Sequence, residues 1–172
     1  MGQKVHPIGF RVGVIRSWES KWYRDKRYAE GVRQDHTIRQ WVRKQLSQAA
    51  VSHVEIERPG DSIAVYIHTA RPGSLIGKGG KGIEDVRQAL EKLTGSKVHV
   101  DIREIRHPDI DAQLVADSIA QQINKRVAYK RAMRQAIMRA MRLGVKGMRV
   151  SCAGRLGGSE MARREHMRDG KI

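Results

Sequence analysis

The chain has a single cysteine, Cys152, which excludes an internal disulfide. No apolar run reaches the roughly eighteen residues that a membrane-spanning helix needs. The opening stretch Met1-Gly2-Gln3-Lys4-Val5-His6-Pro7 lacks the apolar core of a secretory signal. A cytoplasmic protein without membrane partners is the expectation. The seven histidines show no pair at metal-ligand spacing with a suitable acid or cysteine, so neither a metal nor any other cofactor is expected. No Ser-His-Asp or Cys-His arrangement stands out, and Asp111 reads as a helix cap rather than a catalytic acid. An enzyme is therefore not expected. Acidic residues are scarce: 18 Asp and Glu face 34 Lys and Arg, for a net charge of +16. Such an excess points to a polyanionic partner.

The charge is unevenly placed. Residues 1–44 hold eleven Lys and Arg against four acids, or +7. Residues 45–124 hold nine against eleven, or −2, and residues 125–168 hold thirteen against two, or +11. Within the least basic stretch lies Leu75-Ile76-Gly77-Lys78-Gly79-Gly80-Lys81-Gly82-Ile83. Glycines let a backbone approach a ligand closely, and the free amides of a helix start attract anions. Three readings compete. Gly77, Gly79 and Gly82 match the dinucleotide pattern G-x-G-x-x-G, with Asp101 near the spacing of a ribose-binding acid, but Arg71-Pro72-Gly73 ends the preceding strand too early. A nucleotide P-loop fails on spacing, and Gly79 replaces its hydroxyl residue. The KH module fits: a G-x-x-G loop, Gly77 to Gly80, sits between two short helices in a βααβ unit. Gly77, Lys78, Gly79, Gly80 and Lys81 are then the contacts to a single-stranded backbone.

The fold expected is α+β. Residues 1–34 read as an extended basic arm, broken by Gly2, Pro7, Gly9 and Gly13, with aromatics free to stack on bases. RNA contact is expected there from Lys4, His6, Arg11, Arg16 and Trp22. Residues 35–106 read as a type II KH domain. Asp35 caps a helix from His36 to about Ala50, with Ile38, Trp41, Val42 and Leu46 on one face. Val51–Arg58, Ser62–Thr69 and Lys97–Ile105 alternate as three strands of a mixed sheet. The helix after the glycine loop buries Ile83, Val86, Leu90 and Leu93. Residues 107–172 read as a second α/β domain with two helices and a short sheet, starting at His107-Pro108. Asp111 caps a helical tract to Leu143, broken near Val127–Tyr129. Met148–Ala153 forms a strand, and Ser159–Met167 a short basic helix. Arg155, Arg163 and Arg164 add expected RNA contacts.

Several stretches in order give the chain a close resemblance to the bacterial small-subunit ribosomal protein S three family. They are Met1 to Pro7 with Gly9, Trp18 to Tyr23, Val54 to Pro59, His68 to Gly73, Asp111 to Ala116, Arg131 to Met133, and Gly154 to Gly158. The resemblance implies a structural protein of the small-subunit head that binds ribosomal RNA. It implies neighbouring head proteins of the S ten and S fourteen families, a ribosome-bound location, and a place at the mRNA entry channel. There Lys130, Arg131 and Arg134, with Arg126 one turn earlier, would help unwind structured mRNA. A free KH regulator or an assembly factor is the other class considered. Family members continue past the point matching Lys171-Ile172, so the strand Met148–Ala153 is expected to lack sheet partners here.

Overall fold

The structure is a computed structural model and describes residues 2–172, except for the side chain of Lys78. The chain divides into two compact units after Ile105, one residue before the expected boundary.

The first unit begins with a one-turn helix, α1 (Pro7–Arg11), and a two-residue strand, β1 (Ser20–Lys21). Helix α2 (Tyr28–Gln45) follows, then strands β2 (Val51–Glu57) and β3 (Ile63–Thr69). The short helix α3 (Pro72–Ile76) leads through the glycine loop into α4 (Lys81–Thr94), and β4 (Val98–Glu104) closes the unit. The sheet order is β1-β2-β3-β4, with β2 antiparallel to β3 and β3 parallel to β4. This is the expected mixed KH sheet with one strand more, because β1 pairs in parallel with the end of β2. Alternation decides which sheet face is buried. Val54 and Ile56 of β2, Ile63, Val65 and Ile67 of β3, and Val98 and Val100 of β4 all face the core. Ile38 and Val42 of α2 and Val86 and Leu90 of α4 cover that face.

Two expectations fail here for one reason. Asp35 does not cap a helix; it lies inside α2 and is buried, 2% exposed. Its carboxylate Oδ1 accepts from Arg58 Nη2 at 2.6 Å and from Nε at 3.2 Å, while Oδ2 accepts from Trp22 Nε1 and Ser20 Oγ, each at 2.8 Å. The Arg58 guanidinium also donates to Gln34 Oε1 and to the Gly31 carbonyl, and lies over the Trp22 ring. A buried carboxylate tolerates a helix interior when every lone pair is engaged. The same network binds Ser20 to Trp22 to the core, so the arm is neither fully extended nor independent as far as residue 34. Leu93 is a smaller correction: it is 46% exposed, at the solvent edge of the α4 stripe.

The second unit holds α5 (Ala112–Asn124), α6 (Tyr129–Arg142), and the strands β5 (Gly147–Gly154) and β6 (Arg163–Gly170). Asp111 Oδ1 accepts from the Leu114 amide at 3.0 Å and caps α5 as expected. The helical tract breaks over residues 125–128, where Arg126 takes a left-handed φ of 64°. The expected basic helix Ser159–Met167 is not formed. Its second half is β6, antiparallel to β5, so β5 has the partner that was expected to be missing. The pairing aligns Val150 with Met167 and Cys152 with Glu165. The alternating Glu165 and Met167 thus turn to the α6 side, and Val150 and Met167 join Val115, Ile119, Ala132, Met133 and Ile137 in the core.

Removing one partner of a buried ion pair strands the other and costs about 3–5 kcal/mol. Arg58→Met and Asp35→Ala are therefore each expected to lower the unfolding free energy by about that much, measured by urea denaturation of the full chain. The double variant should lose clearly less than the sum of the two; additivity would show that the pair is not coupled.

Candidate nucleic-acid interface

The glycine loop joins α3 to α4 in four residues. Gly77 ends α3 with φ 66° and ψ −175°, a region that only glycine occupies readily. Gly79 and Gly80 follow with φ of 66° and 80°. Gly80 holds the N-cap position of α4, yet no side chain caps that helix. The first-turn amides of a fourteen-residue helix are left to solvent or to an anion. Gly77, Gly79 and Lys81 are exposed. Lys78, expected to reach the phosphates, has a side chain outside the described residues. Glu84 in the same turn carries a negative charge that Arg87 offsets: Arg87 Nε donates to it at 3.0 Å, which keeps the carboxylate ionised by holding its pKa below the usual range.

In the sequence Gly82 counted only toward the dinucleotide pattern and had no part in the KH loop. A Cβ there would stand 2.2 Å from the Leu75 carbonyl oxygen, so α4 can pack on α3 only with glycine at this position. A run of four glycines in six residues was the available signal; the separate duty of each was not visible.

The second basic surface is the outer face of α6. Ala132, Met133, Ile137 and Ala140 are buried, and Lys130, Arg131 and Arg134 are exposed. The structure brings these three together on one helix. Among the described residues Arg131 and Arg134 make no ion pair, whereas Lys130 Nζ lies 3.8 Å from Glu165 Oε2. Arg126 sits in the left-handed turn before α6, not on a preceding helical turn. Arg142, exposed and eleven residues past Arg131, extends the same face by three turns. Helical spacing from Arg131 could have found it.

The hairpin adds a third basic surface. Arg149 stands directly opposite Arg168, and Ser151 opposite His166. Like charges paired across strands repel, and an anion between them relieves the cost. Arg164 shares this outer face and donates to Ser151 Oγ at 2.9 Å. Arg149 and Arg168 escaped the sequence reading because their pairing depends on a strand taken for a helix. Arg163 turns the other way, donating to the Tyr129 hydroxyl at 3.2 Å and pairing with Glu165 at 3.1 Å; the tyrosine bond pushes its pKa up. Arg155 Nε donates to the Ser159 carbonyl at 3.1 Å.

In the arm, Lys4 and Arg16 are exposed. His6 is exposed too, with Nδ1 accepting from the Gly9 amide at 3.2 Å, and Arg11 donates to the Pro7 carbonyl at 2.9 Å. Phe10 and Trp18 present free aromatic faces, 71% and 66% exposed. Trp22 does not: it is half-buried, with its ring against Arg58 and Tyr28 and its Nε1 on Asp35.

The sheet, the paired helices and the G-x-x-G turn define an RNA-binding protein of KH type, and the family model described as KH domain matches residues 37–110. A second model, described as Ribosomal protein S3, C-terminal domain, matches residues 119–172. Over all 172 residues the chain is 51% identical to Small ribosomal subunit protein uS3 of Anaeromyxobacter dehalogenans, covering 77% of that protein. It is 55% identical to that of Lactobacillus acidophilus, again over the whole chain and 77% of the relative. To that of Enterococcus faecalis it is 52% identical, covering 79%. The chain belongs to the ribosomal protein S3 family.

Gly82→Ala should displace the start of α4, lowering stability by about 1–3 kcal/mol and single-strand RNA affinity with it. Gly79→Ala meets open space and should cost only about 1–2 kcal/mol from its left-handed φ. Denaturant midpoints and fluorescence anisotropy with a short RNA would check the order. Arg168→Ala should raise the stability of the free protein by about 0.2–1 kcal/mol, by removing the repulsion with Arg149, while weakening RNA binding. A loss of both would mean that the arginine is a packing residue.

Proposed function

We propose that this protein is a non-enzymatic structural component of the small ribosomal subunit, seated in its head on ribosomal RNA, and that α6 lines the path of incoming mRNA. The observation that carries the reading is the outer face of α6. Arg131, Arg134 and Arg142 lie along a rigid helix, unpaired among the described residues, in a segment of net +11. Residues three and four apart on a helix stand about 5–6 Å apart at Cβ. Such a row offers phosphates a fixed track with no base readout, which suits a strand of any sequence.

The mechanism needs no catalytic group. Single-stranded RNA is flexible and can bring successive phosphates to the row, whereas a hairpin stem cannot follow the same track. Binding the single strand more tightly biases a stem at the entry towards opening. The KH loop contributes a second single-strand contact through Gly77, Lys78, Gly79, Gly80 and Lys81. Lys4, His6, Arg11, Arg16, Arg155 and Arg164 contribute ribosomal RNA contacts, and the exposed Phe10 and Trp18 supply stacking faces. The arm's exposed apolar residues suit neighbouring head proteins, of the S ten and S fourteen families.

Replacing Lys130, Arg131 and Arg134 together by alanine is expected to slow translation of an mRNA with a stable hairpin more than that of an unstructured one. Equal slowing would refute the entry role. The salt dependence of single-strand binding should flatten in the triple variant, by about 0.7 in the log–log slope per cation removed. Stoichiometric recovery of the protein in salt-washed small subunits tests the structural role separately, and its absence there would overturn it.

A further inference from the structure

The outer face of the first unit's sheet carries side chains that the function proposed above does not use. His53 and Glu55 are two residues apart on β2 and therefore point the same way. His68 stands directly across from His53 in the β2–β3 register. The helices cover the other face of the sheet. The two imidazole rings stack with centroids 4.0 Å apart and planes 15° from parallel. His68 Nε2 lies 3.8 Å from Glu55 Oε2 and, although buried, has no hydrogen-bond partner. One donor atom from each of the three residues falls within 4.8 Å of the other two. The histidines are fifteen residues apart in sequence, so their spacing did not reveal a pair; the hairpin makes it.

A buried imidazole nitrogen without a partner is costly, and metal ligation is one way to satisfy it. Two imidazole nitrogens and one carboxylate oxygen form a donor set that zinc accepts with a fourth position open. Calcium and magnesium prefer oxygen alone, while mixed nitrogen and oxygen donors favour the late first-row metals. We propose that His53, Glu55 and His68 form a binding site for a late first-row divalent cation, Zn²⁺ in particular. Bond lengths of about 2.0–2.2 Å place tetrahedral donors about 3.3 Å apart. The three side chains must therefore draw in by rotamer-scale movement over fixed strands. All three are half-buried rather than locked in the core. With Nε2 of His53 on the metal, its Nδ1–H donates to Ser52 Oγ, 3.2 Å away, the kind of outer hydrogen bond that orients a ligating imidazole.

Two cations now hold the Glu55 carboxylate: Lys21 Nζ at 2.9 Å and Arg103 Nη1 at 3.6 Å. Both are partly exposed, and exposed ion pairs are weak. Arg103 keeps Asp101 at 3.9 Å and the Tyr66 ring at 4.2 Å when Glu55 turns to a metal. Lys21 is free to turn to solvent.

The test is calorimetric titration of the tag-free full chain with Zn²⁺, together with its thermal melt. One ion per chain is expected, with a rise in melting temperature. Both should be lost in His53→Gln and in His68→Gln, weakened in Glu55→Gln, and kept in His166→Gln, which alters a histidine of the second unit. Absence of Zn²⁺ binding by the native chain, or unchanged binding in the His53→Gln/His68→Gln double variant, would overturn the site. Should these variants fail to fold, imidazole NMR signals of the native chain with added Co²⁺ decide the matter. Selective perturbation of His53 and His68 supports the site, and perturbation of other histidines alone refutes it.

Discussion

The first unit depends on one buried pair of charges. Arg58 and Asp35 have side chains only 5% and 3% exposed, and removing either would leave the other buried without its counter-charge. Each finds a complete set of partners: Asp35 accepts from Arg58, Trp22 and Ser20, and Arg58 donates to Asp35, Gln34 and Gly31. Those partners come from three separate pieces of chain. The network thereby fixes the end of β2 against the middle of α2 and draws the segment 20–22 onto both. Gly31 shows how tight the arrangement is, since a Cβ there would stand 2.7 Å from the Trp22 ring. The added strand β1 and the left-handed Arg27 before α2 are the chain's route into and out of this point.

That constraint also divides the N-terminal segment. Among the described residues up to about Trp18 it has none that is buried, and Val5, Phe10, Val14, Ile15 and Trp18 lie open to solvent beside Lys4, Arg11 and Arg16. A folded chain rarely leaves so much apolar surface bare without a partner to cover it. From Ser20 onward the same chain is held by the ion-pair network. One stretch of similar composition thus has two physical roles, and the border between them is set by Asp35 and Arg58, neither of which lies in the exposed part.

Legibility of the fold followed the range of the forces involved. Strands β2 and β3 were readable because alternation of Val54, Ile56, Val65 and Ile67 is a local property. So was the Asp111 cap, which acts three residues away. Asp35 was misread because an aspartate ahead of an apolar helical stripe has the local form of a cap, while its partner sits 23 residues on. The segment 159–167 was misread for the same kind of reason: its strand character comes from pairing with β5, not from its own propensity. At the interface, the G-x-x-G turn and the α6 cations were visible as motifs. The opposed Arg149 and Arg168, and the stacked His53 and His68, were not, since each pair exists only in a cross-strand register.

Geometry and charge are supplied by different parts of this chain. The glycine loop lies in a stretch of net −2, and its contribution is a backbone bent into positive φ with uncapped helix amides beyond it. Helix α6 offers the converse: ordinary helical backbone and a dense row of cations. Ala132, Met133, Ile137 and Ala140 lock that helix into its own unit, so the arginine row is held in place by the fold itself. Ordering it then costs little beyond the side chains themselves, which lowers the entropy lost on binding. Under the function proposed above, a charge row without base contacts would hold a moving strand loosely enough to let it pass. A glycine turn that admits the backbone closely suits a strand that stays.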